Sequence, residues 1–220
     1  EEKQEKEEKD TTEDNKNEPD EKTDNEKDET SEDVVKKEKE STEEAVKKIT
    51  YEDDSVVITV SAEEEGVIPK GATLKVVPLL ADDKETKDQY KEVEEKLQEK
   101  AENEEYEIAG FLAYDISFID KDGKEVEPDG EVKVSLDYKE AVLPESMTEE
   151  EAKEADITML HLEEDSKGKV KEVVDMAEKD QVQTMKTTEE QKVEKIEVKT
   201  ESFSTFTITW TTDNGQKCSV

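Results

Sequence analysis

Val132-Lys133-Val134-Ser135-Leu136-Asp137-Tyr138 decides the fold class. Apolar Val132, Val134, Leu136 and Tyr138 alternate with polar Lys133, Ser135 and Asp137. Side chains on a strand point to opposite faces in turn, so this period of two predicts a strand with one buried and one wet face. The same signal recurs on both sides. Val56–Val60, Thr73–Leu80 and Ile108–Ile119 precede it, and Ile157–Leu162, Lys169–Val174, Gln181–Lys186, Val193–Val198 and Phe203–Trp210 follow. Turn signals separate them, such as Asp120-Lys121-Asp122-Gly123. Many short strands joined by turns predict a mainly β protein, an antiparallel β-sandwich. The stretch Val67–Leu74, punctuated by Gly66, Pro69 and Gly71, reads as a hairpin.

Between residues 83 and 105 the period changes. Tyr90, Val93, Leu97 and Ala101 recur at spacings of three and four among charged residues. This predicts one inserted amphipathic helix with a narrow apolar stripe. Asp82 and Glu85 have the spacing of a capping pair at its start, and Thr148 with Glu151 form a second such pair before a short helix through Ala155. Residues 51–212 read as one module, with a split near 145 as the alternative.

Residues 1–50 have another character. They hold 21 acidic residues, 11 lysines and five apolar residues: Val34, Val35, Ala45, Val46 and Ile49. Ordering fifty backbones costs on the order of 50–100 kcal/mol. Burying five small side chains returns about 10 kcal/mol. A disordered acidic arm is therefore expected. The whole chain of 220 residues carries a formal charge of −35, of which residues 51–220 hold −25. All 32 basic residues are lysine. Without arginine for bidentate phosphate contacts, and with this excess of anions, nucleic acid is not an expected partner. No apolar run approaches the 18 residues or so that span a bilayer, so no membrane insertion is expected. Asn214-Gly215 near the end predicts a further hairpin and a following segment, and hence a monomeric fragment of a larger multidomain protein. Cys218 has no second cysteine to pair with.

Three strings recur together in a known family: Gly123–Pro128 with Val132-Lys133-Val134, then Met159-Leu160-His161-Leu162, then Ser202-Phe203-Ser204-Thr205-Phe206. Their order resembles modules of cell-wall-anchored surface proteins of Gram-positive, gut-type bacteria. The resemblance implies an extracellular β-sandwich on the bacterial cell surface, acting as a stalk or as an adhesin domain that binds a host ligand. Capture of host immunoglobulin is the alternative, with the helix face Tyr90, Val93, Leu97 as the candidate contact. A looser similarity is to the ZU5/UPA-type domains, one version of which cleaves its own backbone before a serine. It implies a third reading, cleavage at Phe203–Ser204 with Ser204 as nucleophile and His161 as base.

Chemistry read from the residues themselves is sparse. A serine and the sole histidine supply one nucleophile and one base and nothing more. Asp120, Asp122 and Glu125 form the one weak calcium candidate, but three acids in a six-residue turn do not match the twelve-residue loop. No enzyme, no cofactor and no metal is expected. An internal isopeptide bond, common in proteins of this architecture by resemblance, cannot be assigned to a lysine from spacing alone.

Overall fold

The computed structural model describes residues 47–165 and 167–213. The expected arm, the turn at Asn214-Gly215 and Cys218 lie outside the described residues, apart from the last few positions of the arm. Two antiparallel sheets pack face to face, as the alternation predicts. The first has the order β1 (Lys48–Glu52), β2 (Val56–Ser61), β6 (Val132–Val142), β10 (Val193–Thr200), β9 (Val182–Thr187). The second has the order β3 (Thr73–Leu79), β4 (Tyr106–Ile119), β11 (Thr205–Asp213), β7 (Asp156–Glu164), β8 (Val170–Asp175), and the two-residue β5 (Glu125–Val126) pairs with the end of β4.

Alternation explains the core. Val56, Ile58 and Val60 of β2, Val132, Val134, Leu136 and Tyr138 of β6, and Ile196 and Val198 of β10 point inward from the first sheet. Tyr114, Ile116 and Phe118 of β4, Met159 of β7, and Phe206, Ile208 and Trp210 of β11 meet them from the second. The Tyr138 hydroxyl donates to the Tyr114 hydroxyl across the gap at 3.0 Å, and the Trp210 indole donates to the Gln191 carbonyl at 3.0 Å. Polar tips inside an apolar layer are thereby satisfied.

Helix α1 (Lys87–Glu104) covers the outer face of the second sheet. Val93, Leu97 and Ala101 bury there beside Leu79, Phe111, Ala113, Leu160 and Leu162, and Tyr90 stacks on Phe111 at 4.7 Å. The short helix α2 (Glu149–Lys153) starts at the expected capping box, in which Thr148 and Glu151 bond each other's backbone amides.

Four expectations are corrected. Val67–Leu74 is not a hairpin: β2 and β3 lie in different sheets, so residues 62–72 cross from one to the other. Asp82 does not cap α1. Asp83 accepts from the Glu85 and Thr86 amides instead, and the N-cap residue Thr86 spends its hydroxyl on Leu80. The folded part begins before residue 51, because β1 starts at Lys48 and pairs with β2 throughout. Nothing divides the module near 145. Residues 143–155 connect the two sheets, and Met147, Ala152 and Ala155 belong to the shared core.

Candidate functional site

The strands bring His161 and Ser204 together. His161 is the partner of Phe206 in the pairing of β7 with β11, and Ser204 immediately precedes β11. Both face the space between the sheets. The Nε2 atom of His161 lies 2.9 Å from Ser204 Oγ, and Ser204 Oγ lies 2.7 Å from the Leu162 carbonyl oxygen. A carbonyl can only accept, so the Ser204 hydroxyl proton points at Leu162. Ser204 has no second proton, and the His161 Nε2–H therefore donates to Ser204. The imidazole is 3% exposed and lies parallel to the Phe206 ring at 4.2 Å. Burial alone pushes its pKa down to about 4, so it is neutral at neutral pH.

The turn before Ser204 is fastened as well. The Phe203 amide donates to Glu127 Oε2 at 2.8 Å, and Thr200 exchanges hydrogen bonds with Ser202. The Ile116 amide donates to the Ser204 carbonyl. Phe203 itself is buried edge-on against Phe118 at 4.8 Å. Beside β4, the β5 strand takes the position that β11 holds further along, which places Glu127 at this corner. Glu127 and neighbouring Asp115 and Glu164 all titrate above the ordinary carboxylate range, chiefly because burial disfavours their charge. As arranged, His161 and Ser204 join β7 to the start of β11. A nucleophilic serine needs its proton directed at a base, and here the proton is directed at a carbonyl.

The remaining sequence candidates fall elsewhere. Asp120 Oδ1 accepts from the Asp122 and Lys124 amides, and the left-handed backbone of Gly123 (φ 78°) closes that turn. Glu125 is engaged by Lys75 at 3.3 Å. Among the described residues no group of three potential ligands is poised for a metal. The apolar stripe Tyr90, Val93, Leu97 packs inward, which leaves only the charged side of α1 for a partner. The nearest thing to a lysine–carboxylate triple is Lys195 with Asp137 at 3.3 Å and Glu197 at 3.4 Å. It lies on the outer face of the first sheet, where those carboxylates hold the lysine protonated.

Sequence reasoning missed Glu127 and the Tyr114–Tyr138 bond. Only the shared parity of Tyr138 with Val132–Leu136 hinted at the latter. Comparison with protein-family models, with curated proteins and with solved structures finds no match to this chain.

Proposed function

We propose that the chain is a non-catalytic, extracellular module of a bacterial surface protein that spaces and presents an adhesive site. The observation that carries this is the path of the chain. β1 starts at Lys48, in the row Lys48, Ser61, Lys133, Lys199 that adjoins Thr200. From Thr200 four residues lead across to Thr205, and β11 then runs nine residues away from that end. The chain thus enters the sandwich at one end and leaves β11 at the other, about 30 Å on at roughly 3.3 Å per residue. A module threaded end to end suits a stalk. The hydroxyls and the imidazole of the interior are committed to structural bonds, which agrees with a module that does no chemistry.

A pull-down from host serum and mucosal secretions tests what is presented. Recovery of matrix protein or glycan supports adhesion. Recovery of antibody replaces this reading with immunoglobulin capture, and the partner would then sit on surfaces other than the buried stripe of α1. A second reading, self-cleavage at Phe203–Ser204, has the 2.9 Å contact of His161 with Ser204 in its favour. Intact-mass analysis decides it: a single species of 25.1 kDa removes cleavage from the account, and a split before Ser204 establishes it.

A further inference from the structure

The second sheet ends in an open edge. β8 is its last strand, and among the described residues no strand pairs beyond it. The Met176 amide donates to the Met159 carbonyl at 3.0 Å, one rung past the pairing of Asp175 with Leu160. Residues of an antiparallel ladder bond to their partners in alternation, so Val174 and Glu172 also bond to β7. The N–H and C=O groups of Val173 and Asp175 then point away from β7, and no bond among the described residues takes them up. An unpaired edge of this kind is a template for a further strand. The opposite edge is blunted, because Pro78 of β3 has no N–H to offer.

A groove runs beside the β8 edge. Val170, Lys171, Glu172 and Val173 all line it, with Lys96 and Lys100 of α1 across from them. Neighbouring strand residues point to opposite faces, so a groove touched by four in a row follows the backbone edge. Val170 and Val173 give it an apolar floor, since both pack on the cluster under α1. Farther toward the start of α1 the groove passes Gln89 and Glu92 and opens on Asp115, Glu125 and Glu164, with Val170 shared by the two stretches.

Pairing decides the charge of this groove. Each lysine that lines it is already engaged: Lys96 by Glu99 at 2.6 Å, Lys100 by Glu104 at 2.5 Å and Lys171 by Glu163 at 4.0 Å. Nearby Lys75 is held by Glu125 at 3.3 Å, and Lys167 and Lys169 line neither stretch. Gln89 and Lys75 reach Asp115, and Lys96 feels Glu92. Glu164 titrates above its ordinary range, first from partial burial and then from the pressure of Asp115, Glu125, Glu92 and Asp165. The excess in the groove is therefore negative, as is that of the whole chain at −35.

We propose that this groove takes an extended basic peptide, which joins the second sheet as a strand beside β8, rests apolar side chains on Val170 and Val173 and turns basic ones toward Asp115 and Glu164. Main-chain bonds along the edge supply affinity, and the alternating side chains supply selectivity. The field of the chain draws a cation in. A second copy of the chain is the poorer occupant, because it brings the same −35 with it.

This inference rests on the reading of the module as one that presents an adhesive site, and it names the class of ligand. Its test follows the fluorescence polarisation of labelled eight-residue peptides titrated with the full chain. A peptide of alternating lysine and valine should bind saturably and lose affinity steadily as salt is added, while one of alternating glutamate and valine should not bind. Two further lysine peptides carry N-methyl groups on their odd or their even amides. An added strand bonds β8 along one edge only, so one of these should bind at least about tenfold more weakly than the other. Glu92→Gln/Glu164→Gln should weaken the lysine peptide about tenfold. Glu140→Gln/Glu194→Gln, which removes equal charge from the first sheet, should bind as the parent does, and both variants should melt with the parent. No saturable binding of the lysine peptide up to about 1 mM, equal binding of the glutamate peptide, equal affinity of the two methylated forms, or indifference to Glu92→Gln/Glu164→Gln overturns the inference. Sedimentation of the chain alone as a dimer that the lysine peptide does not displace also overturns it, since the groove would then belong to a second copy. Those outcomes leave the spacer reading standing, since that is tested by the height of the module and not by its ligand.

Discussion

Removing the Tyr138 hydroxyl tests how the two sheets are joined. Tyr138 and Tyr114 are 7% and 8% exposed, and their hydroxyls bond each other at 3.0 Å. Burial raises the pKa of both, so both are neutral phenols at any ordinary pH. Tyr138→Phe deletes the donor and strands the Tyr114 oxygen inside the sandwich. The loss of one net hydrogen bond, about 1 kcal/mol, joins the cost of an unsatisfied buried group, about 1–3 kcal/mol. Tyr114→Phe strands the Tyr138 donor in the same way. The double variant leaves no polar group unpaired, so it should cost less than the two single variants together, with a coupling of about 1–3 kcal/mol. Urea unfolding of the four proteins measures this, provided the m-value stays constant. Costs that add to within about 0.5 kcal/mol would show that the two hydroxyls do not depend on each other, and the inter-sheet bond would be discarded.

Leu97→Ala should cost about 2–5 kcal/mol by chemical denaturation, because Leu97 is fully buried on the sheet-facing side of α1; a loss below about 1 kcal/mol would mean that the helix does not pack there. Thr148→Ala removes the capping box of α2 and should cost about 1 kcal/mol, while Thr148→Ser should cost little. His161 has its pKa held near 4, below the ordinary 6.5, so the folded state favours its neutral form. Its contribution to stability is complete above pH 6.5 and is lost as pH falls toward 4, to a total of about 3 kcal/mol. Asp115, Glu127 and Glu164, raised by burial, act in the opposite sense. The difference between the parent and His161→Gln, followed from pH 7 to pH 4, isolates the histidine; parallel curves would refute its buried neutral state.

Period-two alternation was enough to place β2, β4, β6, β7, β10 and β11 to within a few residues, and the spacing of Val93, Leu97 and Ala101 placed α1. These signals are local and come from burial on one face. What escaped was not local. Lys48, Ile49 and Thr50 of β1 read as the last residues of a charged arm, because an edge strand of five residues with three exposed positions carries little apolar signal. Gly66, Pro69 and Gly71 announce a turn, but turn chemistry does not say whether the next strand joins the same sheet or the facing one. Asp82 lost to Asp83 because the carboxylate one position later reaches two amides at once. At the candidate site, His161 shares its strand parity with Met159 and Ser204 with Phe206, and that much is visible in the sequence. Their mutual distance depends on the register of β7 with β11, and the direction of the serine proton depends on the Leu162 carbonyl. Neither can be read from spacing.

On the proposed reading, the chain spaces what it carries, end to end. Displaying the module on a cell between a surface anchor and a fluorescent epitope measures this directly, by energy transfer from the epitope to a dye in the membrane. An end-to-end spacer raises the epitope by about 30 Å over one carried on a linker of a few residues, as set by the run of β11 at roughly 3.3 Å per residue. An epitope no further from the membrane than on the short linker would contradict it.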